Sequence, residues 1–168
     1  MHRPANTTLN ATDLRIALAV SRYHESITNS MKEAAVATFV QAGGATQNLL
    51  VVNAPGSFEL TAVCRQLAFD DENVRLDAIV AIGCIITGET THDQYLAQSL
   101  TEGLTAIIVK TGVPIAFGVL TCQSIEQALA RSVDSEKSGA INKGAEAMAA
   151  AIETASLIRS LRAGAWTR

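Results

Sequence analysis

The segment Gly-Cys-Ile-Ile-Thr-Gly-Glu-Thr-Thr-His, residues 83–92, carries the side chains of this chain best suited to ligand chemistry. Its two glycines let the backbone approach a ligand closely, and its polar side chains supply acceptors, donors and, in His92, one group that titrates near neutral pH. The apolar residues 78–82 before it are typical of a strand buried on both faces. Because α/β folds bind ligands beyond the carboxyl ends of such strands, the pattern predicts a binding or catalytic site here.

The rest of the chain alternates between strand-like and helix-like segments. Predicted strands cover residues 14–20, 47–52, 78–82 and 114–120. Predicted helices cover about residues 27–42, 60–69, 95–112 and 142–161, and a further helix starts at Ser124, with Gln127 three residues later. This order predicts an α/β fold: a four-stranded parallel sheet flanked by helices on both faces, which is a three-layer α/β/α sandwich.

Loops that follow parallel strands meet at one edge of the sheet, so distant residues are expected to converge there. The loops in question are residues 23–24, 56–59, 84–92 and 120–122. Arg131 and Lys143 flank the hydrophilic residues 132–140, and either cation could pair with a phosphate. The alternatives are that His92 is a solvated or structural histidine, that Tyr23 packs in the core or an interface, and that both cations are solvated helix ends.

Composition narrows the class of protein. With 168 residues, 48% of them hydrophobic and 17% charged, the chain suits one domain with a real core. We expect an N-terminal arm at residues 1–13, the domain at residues 14–162 and a short tail at residues 163–168. A net charge of −3 and a pI near 5.6 argue against binding to nucleic acid or to an anionic membrane.

The cysteines and the hydropathy indicate a cytoplasmic location. The three cysteines are far apart, form no metal-type pair and are expected to be reduced and buried: Cys64, Cys84 and Cys122. No apolar run reaches the roughly 18 residues that a membrane-spanning helix needs, and the N-terminus has no long apolar segment of a secretory signal.

Five motifs, taken together, resemble one family. They are residues 54–60 (Ala-Pro-Gly-Ser-Phe-Glu-Leu), 83–92, 117–121 (Phe-Gly-Val-Leu-Thr), 127–128 (Gln-Ala) and 142–144 (Asn-Lys-Gly), and in order and spacing they are similar to lumazine synthases. The resemblance covers residues 14 to about 158 and implies a flavodoxin-like fold. It also implies a transferase that condenses 5-amino-6-(D-ribitylamino)uracil with 3,4-dihydroxy-2-butanone 4-phosphate. The product would be 6,7-dimethyl-8-ribityllumazine, the penultimate compound of riboflavin biosynthesis, and no metal or organic cofactor is implied.

The resemblance also implies a role for each matching residue. Binding of the pyrimidine and its ribityl chain falls to Tyr23 as the stacking ring, to Ser57, Phe58, Glu59, Cys84, Ile85 and Ile86, and to Phe117 from the adjacent subunit. Binding of the phosphorylated ketone falls to Glu89, Thr90, Arg131 and Lys143. Proton transfer falls to His92, which suits the Schiff-base formation, phosphate elimination and ring closure of this reaction.

The chain departs from the family pattern at three places. It has Tyr23 and His24 where the family commonly has Phe-Asn, Thr87 where it has Arg, and Asp-Gln at residues 93–94 where it has an aromatic and an acid. We expect Tyr23 still to stack, and His24 to cap a helix or lie exposed. Two alternatives to the enzyme stay open: a flavin- or lumazine-binding protein of the same fold without efficient turnover, and an assembly protein with a vestigial pocket.

Assembly is the last implication of the resemblance. Family members form pentamers with active sites between subunits, and some pack twelve pentamers into a shell. Residues 131–143 are about four residues longer here than in shell-forming relatives and include the polar residues 134–138, which predicts a closed pentamer rather than a decamer or a 60-chain shell. In the arm, Pro4 lacks a backbone donor and would interrupt strand addition onto a neighbour's sheet. Functional coupling to riboflavin synthase is a further hypothesis.

Overall fold

The structure is a computed structural model that describes residues 8–69, 75–133 and 142–164. The strands are β1 (Ile16–Ser21), β2 (Leu49–Ala54), β3 (Ala78–Ile86) and β4 (Ile115–Cys122). The helices are α1 (Glu25–Gln41), α2 (Leu60–Phe69), α3 (His92–Thr111), α4 (Ile125–Arg131) and α5 (Lys143–Arg162). The strands form one parallel sheet in the order β2-β1-β3-β4, so the predicted α/β class and four-stranded parallel sheet are confirmed.

Helices cover both faces of the sheet and form two hydrophobic cores. Helices α1 and α5 pack on one face, where the core includes Phe39 and Met148. Helices α2 and α3 pack on the other, where it includes Leu60 and Leu100. All residues of β1 and all but the last of β3 are buried, as expected for the central strands of a parallel sheet. The loops that follow these two strands therefore start from the buried centre of the sheet.

Several element boundaries differ from the sequence prediction. Strand β2 starts at Leu49 because a 3₁₀ turn (Thr46–Asn48) precedes it. Strands β3 and β4 each run further than predicted because their pairing continues to Ile86 and Cys122. Helix α3 begins at His92, three residues earlier than predicted, and α1 begins at Glu25, two residues earlier. The predicted cap at Ser124 is confirmed, since its side chain accepts a hydrogen bond from the Gln127 N–H.

Polar contacts tie the last helix to the start of the sheet. Arg159 of α5 donates two hydrogen bonds to the Asp77 carboxylate, at 2.7 and 2.6 Å, and a third to the Asp13 carbonyl. The Asp77 carboxylate also accepts from the Arg15 N–H at 2.8 Å. Next to this cluster Ala11 is fully buried, and its N–H donates to the Ala42 carbonyl. The division into arm, domain and tail stays a prediction, and residues 1–7 and 165–168 lie outside the described residues.

The predicted polar insert at residues 134–138 also lies outside the described residues, but both of its flanks are held. The buried Asn142 side chain donates to the Ser132 carbonyl and accepts from the Gly144 N–H, which caps α5. Ser30 of α1 donates to the same Ser132 carbonyl. The two flanks are therefore attached to each other and to α1. Across the described ranges, no helix is long and apolar enough to span a membrane.

Candidate active site

The order of the strands predicts where a ligand binds. From β1 the chain moves outward to β2, then crosses back to place β3 on the other side of β1. The loops after β1 and β3 therefore leave in opposite directions, and a crevice opens between them. A pocket of about 790 Å³ lies there, a size suited to a small organic ligand. Three loops line it, those after β1, β2 and β3.

Nine of the thirteen predicted site residues line this pocket. They are Tyr23, Ser57, Phe58, Glu59, Cys84, Ile85, Ile86, Thr90 and His92. Four others are not among the pocket-lining residues: Glu89, Phe117, Arg131 and Lys143. Residues 120–122, predicted to form a loop, are instead the end of β4 and are also absent from the lining. A single chain thus brings together the residues expected to bind the pyrimidine and move protons, but not the cations expected to bind phosphate.

Sequence reasoning missed part of the helical wall. Tyr95, Leu96 and Ser99 of α3 line the pocket, one turn and two turns after His92. They share a helix face with His92 because residues three, four and seven apart in a helix lie on the same side. The predicted helix begins at residue 95 and leaves His92 in a loop, so the spacing from His92 cannot be recognised. A helix that begins at residue 92 predicts, from its 3.6-residue period, that these three side chains lie on the same face as His92.

His92 occupies the first position of α3. Its backbone N–H lies 3.5 Å from the Thr90 hydroxyl oxygen, and its side chain is exposed at the pocket. No other part of the described chain forms a hydrogen bond with its imidazole, so both ring nitrogens are available to a ligand. A group placed in this way can accept a proton from a substrate and return it.

Thr87 and Asp93 close the loop that carries His92. The Thr87 hydroxyl donates to Asp93 Oδ2 at 2.9 Å, and the Thr87 N–H donates to the Cys122 carbonyl at 2.9 Å. The other carboxylate oxygen, Asp93 Oδ1, is buried with no hydrogen-bond partner within the described residues. Two positions that depart from the family pattern, 87 and 93, are therefore in direct contact. Their hydrogen bond joins the end of β3 to the first turn of α3, where His92 lies.

Close packing holds the loop after β2, which forms another wall of the pocket. Ser57 is almost fully buried, and its hydroxyl lies 3.5 Å from the Cys84 carbonyl. A Cβ at Gly83 would lie 2.8 Å from the Ser57 hydroxyl oxygen, and a Cβ at Gly56 would lie 2.8 Å from a Glu59 carboxylate oxygen. Glycine at both positions lets the loop after β2 lie against β3, with the Glu59 carboxylate at the pocket.

The three cysteines are buried free thiols, as predicted. Burial raises the pKa of the Cys64 thiol from 9.0 to about 12. Burial, with a contribution from nearby Cys122, raises the pKa of the Cys84 thiol to about 11. Cys84 therefore presents a neutral thiol to the pocket near neutral pH and is a poor nucleophile there.

The raised pKa values of these thiols predict that the folded state loses stability at alkaline pH. Unfolded thiols ionise from about pH 9, whereas folded Cys64 keeps its proton until about pH 12, so deprotonation favours the unfolded state across this window. We expect urea unfolding between pH 9 and 10.5 to show wild type losing stability faster than Cys64→Ala, by up to about 1.4 kcal/mol per pH unit. If the free energies of unfolding of the two proteins fell in parallel as the pH rose, the raised pKa of Cys64 would be contradicted.

Tyr23 and His24 form the wall at the end of β1. Tyr23 is 67% exposed and lines the pocket. His24 is half-buried and also lines it, and the two rings meet edge to face with centroids 4.9 Å apart. His24 is the N-cap residue of α1, but its side chain makes no capping hydrogen bond. The expectation that His24 caps a helix is therefore met by its backbone position and not by its side chain, and the side chain is half-buried rather than exposed.

The remaining predicted residues lie on or after β4. Phe117 is 45% exposed on this edge strand. Arg131, at the end of α4, is exposed and donates to the Gln127 carbonyl at 2.9 Å. Burial raises the pKa of the Cys122 thiol, and the Arg131 charge opposes this shift, so the guanidinium lies near the end of β4. Lys143 forms an ion pair with Glu146 at 2.6 Å.

The parallel order β2-β1-β3-β4, with a pocket beyond the carboxyl ends of β1 and β3, defines a three-layer α/β protein of the flavodoxin-like class with a ligand site at its switch point. No group of three or more His, Cys, Asp or Glu side chains within the described ranges could hold a metal ion. The chain belongs to the 6,7-dimethyl-8-ribityllumazine synthase family, whose sequence profile matches residues 13–159.

Relatives of that name match along most of the chain. The 6,7-dimethyl-8-ribityllumazine synthase of Saccharopolyspora erythraea is 43% identical over 160 residues, which cover 95% of this chain and 92% of that protein. The one from Deinococcus radiodurans is 44% identical over 154 residues, covering 92% and 95%. The one from Chlorobium phaeobacteroides is 41% identical over 154 residues, with the same coverage.

Proposed function

We propose that this protein condenses 5-amino-6-(D-ribitylamino)uracil with 3,4-dihydroxy-2-butanone 4-phosphate to give 6,7-dimethyl-8-ribityllumazine. This is the transferase activity of riboflavin biosynthesis that the family is named for. One observation supports the proposal at the level of residues: in a member of this family, Tyr23, the loop after β2, the end of β3 and His92 surround a single pocket.

The pocket suggests how the pyrimidine substrate is held. Its heterocycle would stack on Tyr23, with its polar edge against the backbone of β3 at Cys84, Ile85 and Ile86. The ribityl hydroxyls would be bound by the loop after β2, where the Glu59 carboxylate accepts hydrogen bonds and the Phe58 ring covers the chain. Tight binding of the pyrimidine would leave its free amine facing the position of the ketone.

His92 is the group proposed to transfer protons. The amine attacks the ketone carbonyl, and the resulting adduct loses water to form an imine. Elimination of phosphate and closure of the second ring then each move further protons. An imidazole can accept and return protons near neutral pH, and the position of His92 at the start of α3, beside Thr90 and lining the pocket, supports this role.

The phosphate requires a cation from elsewhere in the assembly. The described lining of the pocket contains no lysine or arginine and two carboxylates, Glu59 and Asp93, which would repel a phosphate. Phe117 and Arg131 lie on the β4 side of the chain and outside their own pocket. We propose that these two residues complete the pocket of a neighbouring subunit, with Lys143 as a second cation near Arg131. Glu89, between the pocket-lining residues Gly88 and Thr90, is proposed to meet the ketone in the pocket of its own chain.

Replacing Arg131 with alanine tests the phosphate site. We expect KM for the phosphorylated ketone to rise about ten- to a hundredfold, because a dianion loses a charge-assisted hydrogen-bond donor, while KM for the pyrimidine changes little. Arg131→Lys keeps the charge but loses the planar fork and should be intermediate. Arg65→Ala removes one positive charge from α2 and is the matched control. Equal increases in KM for both substrates would contradict the proposed role.

The proposed assembly is a closed pentamer. The mass of one chain is 17.7 kDa, so analytical ultracentrifugation should give a species near five times that value. A particle of sixty chains would overturn the proposal that residues 134–138 prevent shell formation, and a ten-chain species would mean that two rings stack through another surface. Coupling to riboflavin synthase stays a prediction, as does the cytoplasmic location, with which the three free thiols agree.

The reaction itself is tested by mixing purified protein with both substrates and following the fluorescence of the lumazine product. Turnover that needs both substrates supports the enzyme. Binding of 6,7-dimethyl-8-ribityllumazine without its formation would instead identify a binding protein of the same fold. Absence of both binding and turnover would leave assembly as the role of the fold.

A further inference from the structure

The backbone of His24 is in an uncommon conformation. Its φ of 57° and ψ of 50° lie in the left-handed region, which only one other non-glycine residue of the described ranges enters, Asp13. Histidine, like asparagine and aspartate, enters this region more often than most non-glycine residues, and an N-cap position favours side chains that bond to the helix. His24 makes no such bond. The backbone of the turn therefore tolerates histidine, but helix capping does not explain the imidazole.

The contact made by the imidazole points to its use. Its ring meets the Tyr23 ring edge to face, at an interplanar angle of 82° and a centroid distance of 4.9 Å, which is the favourable geometry for an aromatic pair. Both residues line the pocket. The backbone of Tyr23 is also held, since its N–H donates to the Ser21 hydroxyl at 3.2 Å.

The Tyr23 ring needs a neighbouring side chain to hold its orientation. With 67% of Tyr23 exposed, little of the protein packs against it. An unsupported ring would lose rotamer freedom each time a heterocycle stacked on its face, and that loss weakens binding. A neighbouring ring that touches it on edge restricts its rotation while leaving a face free for the ligand.

We propose that His24 is a positioning residue, whose imidazole holds the Tyr23 ring in the orientation that stacks on the pyrimidine heterocycle. This inference rests on the proposed function and deepens it, because the supported ring is the one assigned to the pyrimidine.

The test is a double-mutant cycle with 6,7-dimethyl-8-ribityllumazine as the probe. His24→Asn keeps a residue suited to the backbone and removes the ring, whereas His24→Phe keeps a ring but removes its nitrogens. We expect His24→Asn to weaken lumazine affinity about two- to twelvefold, the range of an aromatic pair, and His24→Phe to restore most of it. In a Tyr23→Leu background, His24→Asn should have little further effect.

Kinetics separate positioning from a general structural role. The increase in KM in His24→Asn should fall on the pyrimidine and not on the phosphorylated ketone. The inference is overturned by equal losses in His24→Asn and His24→Phe, by full additivity with Tyr23→Leu, or by wild type that does not bind lumazine. Lumazine binding without turnover would overturn the proposed reaction alone, because the cycle measures the coupling of the two rings by binding.

Discussion

His92→Ala is expected to slow turnover by roughly ten- to a thousandfold while lumazine binding is largely kept. In the proposed mechanism the imidazole moves protons during imine formation, phosphate elimination and ring closure, and water would replace it only inefficiently. Binding should survive because the residues proposed to stack on the heterocycle and to bind the ribityl chain lie on other loops, at the ends of β1 and β2. The measurement is single-turnover formation of lumazine at saturating concentrations of both substrates.

A control variant tests whether a loss of rate comes from disturbance of the helix rather than from loss of the imidazole. Gln94→Ala changes an exposed residue in the same helical turn that is not among the pocket-lining residues, so its rate should stay near that of wild type. If Gln94→Ala were slowed as much as His92→Ala, the loss would come from disturbance of the start of α3. Unchanged turnover in His92→Ala would remove His92 from the mechanism.

Gly144→Ala is expected to destabilise the fold by about 3 kcal/mol or more, a large effect for one methyl group. A Cβ at Gly144 would lie 1.9 Å from the Met31 carbonyl oxygen and 2.5 Å from its carbon. These are backbone atoms of α1, so relief requires the two helices to move apart. Elsewhere in a helix, alanine is favoured over glycine by up to about 1 kcal/mol, so the two effects have opposite signs.

Two other glycines provide a graded control. A Cβ at Gly103 would lie 2.7 Å from the Thr61 side chain, which can rotate, so Gly103→Ala should cost less. A Cβ at Gly88 would meet nothing within 4 Å, and Gly88→Ala should change stability by less than about 0.5 kcal/mol. Urea midpoints measured at one protein concentration, because assembly adds to stability, should fall in this order. A stable Gly144→Ala protein would mean that α5 can shift without loss.

The arrangement of strands and helices was predictable because its signals are local. The buried run at residues 78–82, the Ser124 cap and the alternation of segments each depend on neighbours in the chain, and all three match the structure. The alternation of segments then requires parallel strands, and parallel strands collect their following loops at one edge. For that reason the sequence alone predicts that most residues expected to bind the pyrimidine lie at one site.

Tertiary contacts determined the start of α3 and the directions of the side chains around the pocket. Helix α3 begins at His92, where the Thr87 hydroxyl reaches the Asp93 carboxylate, a hydrogen bond that no periodicity predicts. The edge-to-face pair of Tyr23 and His24 accompanies a left-handed backbone at His24, a conformation that few non-glycine residues adopt. Arg131 lies after an edge strand and outside its own pocket. Local sequence determines which element a residue joins, but the direction its side chain takes depends on packing between elements that are distant in the chain.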